Sequence, residues 1–146
     1  DGRSKDYSVG TDWYEIKTVG ANSPNVRISS LAQLSSEHDG HLVVIRAEKM
    51  SDQFDNGEAC VHDLFKYILT VLNNETLEDI FLSKLSAFGY DISDESYTAK
   101  FDVKSMTSYK VSDGFPRITE QDVQRVEICD VSYSLIINAL KPYMED

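Results

Sequence analysis

Three residues near the start of the chain have types and spacing suited to phosphate chemistry: Asp6, Glu15 and Lys17. They lie in Lys5-Asp6-Tyr7-Ser8-Val9-Gly10-Thr11-Asp12-Trp13-Tyr14-Glu15-Ile16-Lys17, where apolar and polar residues alternate on both sides of Gly10-Thr11. That is the pattern of a β-hairpin. With Gly10-Thr11 as a two-residue loop, glycine in first place suits a type II′ turn. Counting outward pairs Val9 with Asp12, Ser8 with Trp13, Tyr7 with Tyr14 and Asp6 with Glu15. Side chains alternate along a strand, so Asp6, Glu15 and Lys17 share one face. Tyr7, Val9, Tyr14 and Ile16 are expected on the other, core-facing side.

Carboxylates directly opposite in a sheet have Cβ atoms about 5 Å apart, and at an effective dielectric near 20 they repel by about 3 kcal/mol. A divalent cation reverses that sign. Mg²⁺ is commonly held by one or two carboxylates, keeps several waters and leaves room for a phosphate oxygen. Lys17, one pleat along, could orient or activate an attacking water and neutralise charge developing on the phosphorus centre. The plainer alternative is a solvated hairpin edge in which Lys5 and Lys17 neutralise Asp6 and Glu15.

The elements that must position these residues follow in order. Residues 18–24 read as a loop, with Gly20, Asn22, Ser23 and Pro24 as breakers. Residues 25–28 form a short extended piece. Ser29 or Ser30 then caps a helix through residue 36, whose exposed N–H groups suit a phosphate near Ser29, Ser30 and Gln33; ordinary capping with a surface Gln is the alternative. Asp39-Gly40 turns the chain into an apolar strand over 41–46, expected to be buried on both faces.

Residues 51–57 form a polar loop. Periodicity places a helix over 58–72, with Val61, Leu64, Phe65, Ile68, Leu69 and Leu72 on one stripe. Thr76 and Asp79 cap a second helix that turns Leu77, Ile80, Phe81, Leu85 and Phe88 inward and stops at Gly89. The pair is expected to pack on the sheet as a helical hairpin. His62 reads as a packing or surface residue. Alternation over 97–104 predicts a half-buried strand, a turn over 105–107 and a second strand over 108–111. Lys100, Lys104 and Lys110 offer either a modest basic face for a DNA backbone or a solvated sheet face. Arg117 is either a phosphate contact or half of a salt bridge. Residues 126–136 predict a final strand or strand pair, and 138–144 a short helix.

The chain has 146 residues, enough for one domain with a real core. Cys60 and Cys129 make neither a CxxC pair nor a disulfide framework, which suits a reducing cytoplasm. No apolar run approaches membrane-spanning length. A net charge of −11 opposes a nucleic-acid surface, because nonspecific DNA binding depends on neutralising phosphates. The distribution of charge is a separate matter. No G-x-S-x-G, P-loop or dinucleotide fingerprint is present, so other hydrolase, NTPase and oxidoreductase readings have no starting residue. A glycosidase would need only two carboxylates, but Trp13 is the sole sugar-stacking candidate near Glu15.

Asp6, eight residues, then Glu15-Ile16-Lys17 resembles the PD-(D/E)XK nuclease signature. The resemblance continues through Val26-Arg27-Ile28-Ser29-Ser30-Leu31-Ala32-Gln33-Leu34, Leu42-Val43-Val44-Ile45, Phe88-Gly89-Tyr90, Tyr109-Lys110-Val111 and Phe115-Pro116-Arg117-Ile118. Over nearly its whole length the chain resembles a bacterial group of PD-(D/E)XK proteins encoded beside restriction-modification and other defence genes. Lys5 departs from the Pro of the motif's name. The resemblance implies an α/β, restriction-endonuclease-like fold, with a mixed, mainly antiparallel sheet flanked by helices. It also implies that a helix and first strand of the core would lie upstream of Asp1, making this the C-terminal part of a longer protein. Further implications are Mg²⁺-dependent DNA cleavage, with Mn²⁺ as substitute, and Asp6, Glu15 and the Ile16 carbonyl as metal ligands. Lys17 would position the water and Gln33 would support the site. DNA, a second copy of the chain and other defence-system subunits are the implied partners, in a prokaryotic cytoplasm. The alternative function is an inactive nuclease-fold module for DNA binding or assembly.

Overall fold

The computed structural model describes residues 5–51 and 60–145. The chain divides into two compact units, one of residues 1–47 and 103–146 and one of residues 48–102. The first unit holds the candidate chemistry. Its hairpin joins β1 (Tyr7–Val9) to β2 (Asp12–Gly20), with Tyr7 opposite Tyr14, Ser8 opposite Trp13 and Val9 opposite Asp12. Gly10 has φ +61 and Thr11 does not share the left-handed region, which is what a type II′ turn requires. These three pairs match the count from sequence, whereas Asp6, expected opposite Glu15, precedes the strand and instead accepts from Ile16 N through its side chain.

The faces are the reverse of the expected ones. Tyr7 and Val9 are both 57% exposed and Ile16 is 43% exposed, whereas Trp13 and Glu15 are buried. The chemistry-bearing face of β2 is therefore the inward face, anchored by Trp13. Alternation alone cannot say which of two faces turns inward when one carries Tyr, Val and Ile and the other carries the single Trp.

β3 (Asn25–Ile28) leaves this sheet and pairs antiparallel with β6 (Tyr133–Ile136) as a two-stranded ribbon. A single 3-10 turn, Leu31–Gln33, replaces the helix expected through residue 36. Ser30 makes no side-chain cap there, and a turn this short has few aligned dipoles to offer a phosphate. β4 (Gly40–Lys49) then runs parallel to β2, with Trp13 beside Gly40 and Lys17 beside Val44. One face of β4, carrying Leu42 and Val44, is buried, and the other is half-buried rather than covered. Gly40 does not turn the chain, as sequence suggested. It opens β4, where an added Cβ would lie 2.0 Å from the Trp13 ring.

β5 (Phe101–Val111) completes the sheet in the order β1-β2-β4-β5. It is one strand of 11 residues, so the turn expected over 105–107 is absent. Ser105-Met106-Thr107-Ser108 contains neither Gly nor Pro to break an extended run. The turn at Asp113-Gly114 does form, with φ +86 at Gly114 and Phe115 N donating to Ser112 O at 3.1 Å. The last segment is a 3-10 run, Ile137–Tyr143, that contains Pro142 and buries Ile137 and Leu140. The fold is thus a mixed, mainly antiparallel α/β arrangement of the restriction-endonuclease-like kind. Trp13, Val26, Ile28, Leu34, Leu42, Val44, Tyr109, Val111 and Phe115 form its core with Leu135, Ile137 and Leu140.

The second unit contains α1 (Val61–Val71) and α2 (Glu75–Ala87). The first residues of the helix expected over 58–72, and the loop expected over 51–57, fall largely outside the described residues. Cys60 Sγ caps α1, and Asn74 caps α2 by accepting from Leu77 N at 3.2 Å, in place of the Thr76 and Asp79 signal. Phe65 stacks on Phe81 and meets Tyr90, and His62 Nδ1 lies 2.6 Å from Tyr90 Oη. His62 is a packing residue, as expected. The inward stripes are narrower than periodicity suggested: Val61, Leu64, Leu77, Ile80 and Phe88 are exposed.

Candidate active site

β2 turns Trp13, Glu15 and Lys17 inward at successive pleats, and the strand ladder to β4 fixes their spacing. Glu15 is 1% exposed and is the sole charged residue in the described core. Lys17 Nζ pairs with Glu15 Oε1 at 2.8 Å, and among the described residues no other donor reaches that buried oxygen. Burial pushes the Glu15 carboxyl above the usual range; Lys17 and Lys5 oppose the shift and Asp6 adds to it. Burying a carboxylate without full pairing is costly. A fold that retains it holds a local demand for positive charge.

Asp6 is exposed and sits across the hairpin, where its Oδ2 accepts from Ile16 N at 2.8 Å. The bond fixes the carboxyl over the Glu15-Ile16-Lys17 backbone. Asp6, Glu15, Ile16 and Lys17 are therefore brought to one place. The available donors are hard oxygens, two carboxylates and a backbone carbonyl, which suit Mg²⁺ or Mn²⁺ rather than a soft metal. With Glu15 Oε1 buried and met only by Lys17 among the described residues, they fit a divalent cation. Among the described residues no group of three or more His, Cys, Asp or Glu side chains converges.

Residues 1–138 match the family described as "Putative PD-(D/E)XK family member, (DUF4420)". The chain belongs to this family. No curated protein and no solved structure matches it. Nucleases of the PD-(D/E)XK kind generally use divalent metals.

The candidate site of this PD-(D/E)XK family chain has a flank that the motif does not name. Lys5 Nζ donates to Ala32 O at 2.8 Å and Gln33 O at 2.7 Å, and lies 3.8 Å from the centroid of the Trp13 ring. Lys5 thus ties the residue before Asp6 to the Leu31–Gln33 turn. Burial lowers the Lys5 ammonium to about 8, with Glu15 opposing and Arg117 adding to the drop. Trp13 Nε1 in turn donates to His38 O at 2.8 Å. Sequence reading passed over Lys5, Trp13, His38 and Gly40 as site-forming residues. The signal for Trp13 was its place on the same face as Glu15 and Lys17.

Gln33 reaches this flank through its carbonyl, while its side-chain Oε1 accepts from Ser29 N at 2.7 Å. Ser29 and Ser30 line a cavity together with Leu31 and Ala32 of the same turn. Arg117 Nη1 donates to Leu34 O at 2.8 Å, a tether to the end of that turn, and no ion pair of Arg117 occurs among the described residues. Lys104 lies on β5, and Lys100 just precedes that strand, in the second unit, where its carbonyl accepts from Met50 N. No helix among the described residues is long and apolar enough to cross a membrane.

Proposed function

We propose that this protein is a Mg²⁺-dependent DNA endonuclease, with Mn²⁺ as a working substitute, serving a restriction or phage-defence system in a prokaryotic cytoplasm. The observation that carries the reading is the buried Glu15 carboxylate, paired with Lys17 and held near Asp6 at the hairpin of a PD-(D/E)XK family chain. Asp6, Glu15 and the Ile16 carbonyl would hold the cation. When bound, it would supply Lewis-acid polarisation of the phosphodiester and a bound water of lowered pKa.

The chain's own residues do the positioning. Lys17 Nζ orients the attacking water by donating to it, and places positive charge against the oxygens that gain it in the transition state. Asp6, held by Ile16 N, keeps its carboxyl aligned on the strand. Gln33 shapes the flank through its carbonyl bond to Lys5. Ser29, Ser30, Lys104 and Arg117 are the proposed DNA contacts, and two copies acting together would cut both strands.

The net charge of −11 favours a second reading, an inactive nuclease-fold module for binding or assembly. Cleavage of supercoiled plasmid with Mg²⁺ or Mn²⁺ separates the two. The nuclease reading expects nicking or linearisation by the wild type, lost in Asp6→Ala and Lys17→Ala. A folded wild type that leaves plasmid intact in both metals would favour the module.

A further inference from the structure

The Leu31–Gln33 turn takes part in two features. Its carbonyls hold Lys5, next to Asp6, and residues 29–32 also line a cavity of about 410 Å³. The rest of the lining comes from the connection to β6, with Glu120, Val123, Ile128, Cys129 and Asp130. That volume lies at the small end of the about 300–1,000 Å³ range of small-molecule sites, enough for a nucleobase and its sugar.

The lining chemistry narrows the occupant. No Lys or Arg lines the cavity among the described residues, and two carboxylates do. A phosphate or other anion is disfavoured there. Leu31, Val123 and Ile128 give it apolar walls for a flat ring, while Ser29 and Ser30 supply hydroxyls able to donate or accept. A carboxylate accepts from an exocyclic amino group such as cytosine N4, whereas the O4 of thymine would meet it as a second acceptor.

We propose that this cavity receives an unstacked cytosine from the DNA strand presented to Asp6 and Glu15, with Glu120 and Asp130 accepting from its amino group. The proposal rests on the nuclease reading above and adds a base-reading subsite to it. Extruding a base costs least where it is already unpaired, so a mismatched or bulged cytosine is the best probe.

Cys129 provides the readout, since it is exposed and lines the cavity while Cys60 is buried. The experiment measures alkylation of Cys129 by iodoacetamide, with Ca²⁺ present in place of Mg²⁺. The protein is saturated in turn with a duplex carrying one unpaired cytosine, the same duplex carrying an unpaired thymine, and a fully paired duplex. Gel shift confirms that each is bound. The unpaired cytosine is expected to slow alkylation at least five-fold, and the other two less than two-fold. In the double variant Glu120→Gln, Asp130→Asn the preference for cytosine over thymine is expected to disappear; Asn is tolerated at the φ of +53 found at Asp130. Bound duplexes that leave Cys129 equally reactive, or that all protect it equally, would overturn the base subsite alone. Failure of every duplex to bind would overturn the nuclease reading and the subsite with it.

Discussion

Replacing Gly40 by alanine strikes the support of the site without touching its charges. The new Cβ would lie 2.0, 2.2 and 2.6 Å from three atoms of the Trp13 ring. Carbon atoms pack best at about 3.5–4.0 Å, so the indole must retreat by more than about 1 Å. It cannot do so freely: Nε1 is bonded to His38 O, and the Lys5 ammonium rests on the ring. Overpacking of this kind costs about 1–3 kcal/mol, and a weakened buried hydrogen bond adds about 1 kcal/mol. Near this chain length, each kcal/mol lowers Tm by about 2–4 °C, so a fall of roughly 5–15 °C is expected. Trp13 is the only tryptophan, so a fluorescence melt reads the perturbed residue itself. Gly20→Ala is the control, because a Cβ there meets nothing within 4 Å. Indistinguishable melts for the two variants would refute the packing argument.

Three further outcomes follow from the charges around that ring. Glu15 is held above its usual pKa mainly by burial, so its ionised form destabilises the metal-free fold as pH rises past the ordinary carboxylate range. Glu15→Gln should therefore raise Tm at pH 7 without metal and abolish any Mn²⁺-induced rise; a wild type at 100 times the Kd would gain about 2.7 kcal/mol from the cation. Lys5 is lowered to about 8, so between there and its ordinary value the unfolded chain keeps a proton that the folded chain has released. Its contribution to stability rises with pH across that window, and the difference in Tm between wild type and Lys5→Met, measured from pH 7 to 10, should show the slope. Lys17 competes with a cation for Glu15 Oε1, at 2.8 Å. Removing a pair worth about 1 kcal/mol should tighten Mn²⁺ binding about fivefold in Lys17→Met, by calorimetry, while cleavage is lost.

Local pattern carried the hairpin because a two-residue turn and a period of two fix its register without help from the rest of the chain. The grouping of Asp6, Glu15 and Lys17 was legible for the same reason. Which side of β2 turns inward was not, since that depends on β4 supplying Gly40 as a seat for Trp13. The role of Lys5 was hidden because both of its carbonyl partners lie 27 and 28 residues away. Ser29 and Ser30 read as a helix cap, yet the chain makes only one turn there before Arg117 ties off its end at Leu34. The long strand β5 was misread because a polar run without Gly or Pro looks like a turn until the neighbouring strand β4 takes up its hydrogen bonds.

Calorimetric titration of Mn²⁺ into the metal-free protein tests most directly whether the buried Glu15 oxygen and Asp6 form a cation site. One site is expected in the wild type, weakened at least tenfold in Asp6→Ala and absent in Glu15→Gln, with all three proteins folded. A wild type that binds no Mn²⁺, or variants that bind it as the wild type does, would contradict the account.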